Sequence, residues 1–192
     1  MGSKNLAVLI IDMQPFFVEG DIYLNSILKS GKEVIDVAKR KGHPIFVLEY
    51  SDKIYDFGKT ISPIKNILNG YSNVHFIEKF NENGFIVNRN YHGFTCMKED
   101  VKISGDNHLD LELKKRDVGE IVISGVNKYG CILQTAKEAI QRGYTVLSAH
   151  TLMNEQNFDI SHGAMANIDY GWHEKNTRHY KKISDLVRYM EK

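Results

Sequence analysis

The stretch 119-GEIVISGVNKYGCILQTAKEAIQRGYTVLSAH-150 sets out a strand, a helix and a second strand in one line. Its opening, 119-GEIVIS-124, is mostly β-branched and apolar, as a strand buried on both faces requires. Helical spacing follows over 129-YGCILQTAKEAIQRG-143 and stops at Gly143; 144-YTVLSA-149 then returns to a strand pattern. Working outward, 6-LAVLII-11 is another continuous apolar run. Residues 26–42 place Ile27, Leu28, Val34, Ile35, Val37 and Ala38 near helical spacing, with Ser26 as a candidate N-cap and Gly42 as the stop. Strand 44-PIFVLEY-50, a short helix near 60–70 and strand 74-VHFIEK-79 come next. A helix over 107–117 leads into the opening strand, and another helical segment is expected around 158–169. A short extended piece near 177–183 precedes a last helix opened by Ser184. Such alternation predicts a three-layer α/β/α domain with a mostly parallel sheet.

Composition narrows the function. The 192 residues suffice for one domain with a full core, and 42% hydrophobic and 26% charged residues are ordinary for a globular chain. The formal net charge is +1, and the densest basic cluster, 178-RHYKK-182, is short, so no nucleic-acid partner is expected. No apolar run approaches membrane-spanning length, and the N-terminus lacks a signal-peptide pattern; a cytoplasmic protein without a membrane partner is the expectation. Cys96 and Cys131 are too few for a disulfide framework, which favours free thiols in a reducing compartment. There is no linker or repeat, so residues 1–192 are read as a single domain. Residues 86–106 lack a clear period and read as an insertion at the edge of the site.

In an open parallel sheet, ligands gather beyond the carboxyl ends of the strands. Asp12 ends the first strand, Lys79 ends the third, and Cys131 opens the helix after the fourth. Taken singly, each has an ordinary explanation. An Asp there usually caps a turn, a Lys is usually solvated, and an isolated Cys is usually core filler. Together they make chemical sense. A helix N-terminus and a nearby ammonium favour a thiolate, so a nucleophilic Cys131 is expected to react below pH 8. A carboxylate accepts the thiol proton and returns it to a leaving amine.

At these residues the chain resembles the isochorismatase-like cysteine hydrolases, which include nicotinamidases and N-carbamoylsarcosine amidohydrolases. The segments that carry the resemblance are 8-VLIIDMQPFFVEG-20, 79-KFNENGF-85 and 125-GVNKYGCILQTAKEAIQRGYTV-146. It implies a Rossmann-like hydrolase fold in which Asp12 is the general base, Lys79 the supporting charge and Cys131 the nucleophile. It implies further a cis peptide between Val126 and Asn127, with the Asn127 and Cys131 N–H groups forming an oxyanion hole. Phe17, Phe85, Lys128 and Tyr129 are then candidate substrate contacts. The implied reaction is hydrolysis of a small amide, ureide or carbamoyl substrate through a thioester-type intermediate, without a cofactor. Relatives are commonly oligomeric, so a homo-oligomer is expected.

The departures carry information too. Nicotinamidases hold a metal through an Asp-x-His cluster after the second strand, whereas 47-VLEYSDKIYDFGKT-60 contains no histidine. No metal is therefore expected, Asp52 and Asp56 reading as solvated carboxylates, and nicotinamide is disfavoured. Asn83-Gly84 stands where Ser-Ala is usual and alters the pocket wall; Lys128-Tyr129 replaces a usual Thr and its neighbour. His150 takes the place of a common Asp, either capping its strand or touching substrate. The insertion carries Tyr91, His92 and Phe94 as packing or pocket residues, and Lys98 as a rival for the lysine role. Two other readings stay open: a non-catalytic binder on the same fold, and a redox sensor pairing Cys131 with Cys96.

Overall fold

The computed structural model describes residues 5–51, 56–80, 82–85, 108–154, 169 and 171–192. Six parallel strands form one sheet: β1 (Asn5–Ile11), β2 (Ile45–Tyr50), β3 (Val74–Lys79), β4 (Val118–Gly125), β5 (Thr145–Ala149) and β6 (Arg178–Tyr180). Their order is β3-β2-β1-β4-β5-β6. Helices α1 (Pro15–Val18), α2 (Leu24–Lys41), α3 (Ser62–Leu68), α4 (His108–Lys115), α5 (Cys131–Gln141), α6 (Trp172–Asn176) and α7 (Ile183–Met190) connect and flank them. The expected α/β sheet flanked by helices is thus the architecture observed.

The central strands owe their position to composition. Leu6 to Ile11 of β1 and all of β2 are buried, because every outward position is apolar or tied into the interior. An amphipathic α2 lays Ile27, Val34, Ile35, Val37 and Ala38 into the core. It ends where expected, at Gly42 with φ 75°, whose N–H returns to Ala38 O. Two helix starts differ from the sequence reading. The Asp21 carboxylate accepts the Tyr23 N–H at 2.7 Å and turns the chain early, so α2 begins at Leu24 rather than after Ser26. Likewise α7 begins at Ile183 after an extended Lys182, with no cap from Ser184.

The strand order reverses between β1 and β4: the chain leaves β1 toward β2 on one side, and β4 to β6 lie on the other. The two central strands run in register up to Ile11 and Gly125. At that point they approach too closely for any side chain. A Cβ on Gly125 would stand 2.1 Å from Ile11 O, and its φ of 128° is itself a glycine conformation. Asp12 and Val126 are the next residues, so this contact sets the floor of the crevice where ligands bind in such sheets.

The insertion 86–106, with Tyr91, His92, Phe94, Cys96 and Lys98, lies outside the described residues, as do Asp52 and all but residue 169 of the helical segment expected around 158–169. Among the described residues, no helix is long and apolar enough to cross a membrane. Gly125→Ala is expected to lose about 3 kcal/mol or more of stability, since backbone must move to admit the methyl group. Urea unfolding checks this; a loss below about 1 kcal/mol would show that the β1–β4 contact is not rigid.

Candidate active site

The chain turns sharply at Asp12. With φ 52° it occupies the left-handed region, which Asp tolerates better than most residues. Its N–H donates to Leu48 O at 3.0 Å, continuing the β1–β2 ladder by one rung, and its carbonyl accepts the Gln14 N–H at 2.7 Å. The buried Gln14 side chain then fixes the neighbouring strand. Its Nε2 donates to Tyr50 O (2.9 Å) and Gly58 O (2.6 Å), while Oε1 accepts the Tyr50 N–H at 2.6 Å. Glu49 anchors the same loop by accepting the Thr60 N–H and hydroxyl, each at 2.8 Å.

Lys79, the last residue of β3, reaches back across the end of β2. Its Nζ lies 2.8 Å from Asp12 Oδ2 and 4.6 Å above the Tyr50 ring. Lysine and aspartate are 0% and 1% exposed, so each charge depends on the other for compensation. Cys131 is the first residue of α5 and is buried, and its thiol lies close enough to feel both the Asp12 carboxylate and the Lys79 ammonium. Residues from the ends of β1 and β3 and from the start of α5 therefore converge at the strand-order reversal.

The turn leading to the cysteine is tied down at both ends. Val126 N–H donates to Ile11 O at 3.1 Å, and the Val126–Asn127 peptide is cis. Asn127 O accepts the N–H groups of Gly130 (3.0 Å) and Ile132 (3.2 Å). Lys128 N–H donates to Asn154 Oδ1 at 3.3 Å.

Electrostatics correct one expectation. Burial pushes the Cys131 thiol well above its ordinary range; the Lys79 ammonium opposes this and the Asp12 carboxylate adds to it. Burial likewise raises Asp12, against the pull of Lys79. For Lys79, burial acts to lower the ammonium, but Asp12 and Cys131 outweigh it and hold the proton more firmly. Desolvation thus opposes the helix N-terminus and ammonium that were expected to favour thiolate, and holds the thiol toward its protonated form.

The other candidates are distributed around this centre. Phe17 stacks on Phe57 at 5.1 Å and, with Phe16, Glu19, Asp21, Asn127 and Asn154, lines a cleft of about 440 Å³. Phe85 is fully buried, stacked on Tyr144 at 5.9 Å with the Arg142 guanidinium 5.4 Å from its ring. Lys128 points away to Glu174, 3.8 Å off, and lies 5.2 Å from the Tyr129 ring. Gly84 donates its N–H to Thr135 Oγ1 at 2.9 Å, docking the Asn83-Gly84 turn on α5; a Cβ there would meet Leu48 Cδ1 at 2.6 Å. His150 follows β5, 3.4 Å from Glu174. Sequence reasoning missed the clamp made by Gln14 and the aromatic face that Tyr50 offers Lys79. The fixed spacing of Asp12 and Gln14 was the available signal for the first.

Comparison with known proteins agrees with this fold. A family model described as the isochorismatase domain matches residues 6–169. A ribonuclease from Caenorhabditis elegans (MAR1) superposes with TM-score 0.69 at 19% identity, covering 97% of this chain and 81% of its own. A cysteine hydrolase from Pseudomonas syringae pv. phaseolicola superposes with TM-score 0.72 at 15% identity, covering 97% and 92%. An N-carbamoylsarcosine amidase from Thermoplasma acidophilum gives 0.66 at 16% identity, covering 92% and 96%. At these identities the structures establish a shared fold. Among proteins of curated function, none matches the chain in sequence.

Lys79→Met keeps the bulk and removes the charge that compensates Asp12. The variant is expected to be less stable by about 3–5 kcal/mol near neutral pH. Its deficit should shrink on acidification. An unpaired Asp12 titrates far above its ordinary 3.8, and a group with a raised folded-state pKa stabilises at low pH and loses that contribution as pH rises. Thermal unfolding between pH 4 and 8 checks the slope; a deficit independent of pH would mean that Asp12 is not the group left unpaired.

Proposed function

The chain belongs to the isochorismatase domain family, and we propose that it is a hydrolase of non-peptide C–N bonds in which Cys131 is the nucleophile that cleaves a small amide, ureide or carbamoyl substrate. The observation that carries this reading is the buried Asp12–Lys79 pair at the reversal of strand order, with the Cys131 thiol within its electrostatic reach. A solvated lysine, a turn-capping aspartate and a core-filling cysteine have no reason to meet in this way.

In the proposed sequence, substrate entry excludes water and Asp12 takes the thiol proton as sulfur bonds to the carbonyl carbon. A carboxylate whose basicity burial has raised is suited to that transfer. Negative charge then builds on the carbonyl oxygen, where the N–H groups of Asn127 and Cys131 would receive it, the latter at the positive end of the eleven-residue α5. The C–N bond breaks as Asp12 returns its proton to the departing ammonia or amine, leaving a thioester-type intermediate. Asp12 next deprotonates a water, which attacks that carbon; the acid is released and the proton ends on sulfur. Lys79 stays charged throughout and balances whichever neighbour is anionic. Phe17 and Tyr129 are proposed to border the substrate.

An ammonia-release screen across small amides, ureides and carbamoyl compounds tests the reading. Activity should disappear in Cys131→Ala, and full activity in that variant would sink the assignment. Asp12→Asn separates a base from a mere neighbour. Turnover should fall by about a hundred- to ten-thousand-fold through loss of proton transfer. Haloacetamide alkylation of Cys131 should nevertheless shift to lower pH, because a carboxylate that opposes the thiolate is gone while Lys79 remains. An alkylation profile unchanged from the parent protein would show that Asp12 does not act on the thiol.

A further inference from the structure

Beyond the end of β5, away from Asp12 and Cys131 in sequence, His150, Glu174 and His179 form a second cluster. Each offers one ligand atom, and these atoms lie within 4.8 Å of one another. His150 Nε2 is 3.4 Å from Glu174 Oε1. Ligand atoms around a tetrahedral zinc at about 2.0–2.1 Å stand about 3.4 Å apart, so this pair already has the required separation, and the third ligand atom lies within 4.8 Å of both.

Hydrogen bonding decides which nitrogen of His179 carries the proton. The Thr177 hydroxyl donates to His173 O at 2.6 Å, a carbonyl that can only accept. Thr177 Oγ1 must then accept from the Ser148 hydroxyl, 2.6 Å away. Ser148 Oγ in turn must accept from His179 Nδ1–H, at 2.8 Å. This relay leaves His179 Nε2 deprotonated, and that atom is buried without a hydrogen-bond partner among the described residues. A buried lone pair with no donor is costly unless a cation meets it.

The geometry points to a divalent transition-metal site, zinc-like in its preference, formed by His150, Glu174 and His179 with at least one position open to solvent. His150 and Glu174 side chains are 46% and 32% exposed, which leaves an entry path. Two histidines and a carboxylate with an open position suit an ion of intermediate softness. Lys128 Nζ, 3.8 Å from the same Glu174 oxygen, opposes the ion and tempers its affinity. The cluster escaped the sequence reading because its members come from three elements, and histidine was sought only after the second strand.

The test is titration of metal-stripped full-length protein with Zn²⁺ by calorimetry and with Co²⁺ by visible spectroscopy, in a Cys131→Ala background that removes thiol ligation. One ion per chain and the intense visible bands of low-coordinate Co²⁺ are expected. His150→Ala and Glu174→Gln, both at solvent-accessible positions, should weaken binding by more than the about 10–100-fold that loss of an outer hydrogen-bond partner costs; Ser148→Ala should fall within that range. His108→Ala, on an exposed residue elsewhere, should change nothing. Absence of saturable binding, or affinity unaltered in His150→Ala with its fold intact by circular dichroism, would overturn the site and reduce the cluster to an ordinary ion pair.

Discussion

The ion pair between Asp12 and Lys79 is the constraint around which the rest is arranged. Two opposite charges 2.8 Å apart and almost wholly withdrawn from water gain from each other only if their geometry is held. That demand reaches through the sheet. The aspartate sits where β1 can go no further against Gly125, in a left-handed turn braced by Leu48 and Gln14. The lysine crosses the end of β2, and Gln14 clamps the Tyr50 backbone there so that the ring lies beneath the ammonium. A buried pair of this kind contributes little net stability; what it retains is a poised proton acceptor beside a thiol.

Burial explains why the site rests in a neutral form. Removing water raises the cost of every unbalanced charge, and one ammonium already balances one carboxylate. A thiolate would be the surplus charge, so in the proposed reaction sulfur would keep its proton until a substrate supplies somewhere for negative charge to go. Reactivity toward substrate and inertness toward solvent then follow from the same desolvation.

Much of the fold was legible because it depends on local patterns. The apolar run Leu6–Ile11 and the more mixed 74-VHFIEK-79 both fall on strands, and Gly42 ends its helix through the left-handed conformation it was expected to adopt. Helix starts were less legible. Ser26 and Ser184 are plausible caps, but Asp21 turned the chain first in one case, and in the other the extended backbone at Lys182 did so without a side-chain cap. In the candidate site, Asp12, Lys79 and Cys131 could be singled out because each marks a strand end or helix start and falls in a segment that carries the family resemblance. The protonation of Cys131 could not be, since burial is a property of the assembled core that no single segment carries. The relay Thr177–Ser148–His179 was hidden for the same reason: its members adjoin only after β5 and β6 pair.

The place of β3 has a consequence for how the protein fails. Among the described residues it is an outer strand, hydrogen-bonded only to β2, with Phe76 half exposed on its surface. Outer strands are the first to fray in local opening, well before the central strands separate. When β3 frays, Lys79 withdraws and Asp12 is left without its cation in an otherwise intact core. On the proposed mechanism, inactivation would therefore precede global unfolding under mild stress.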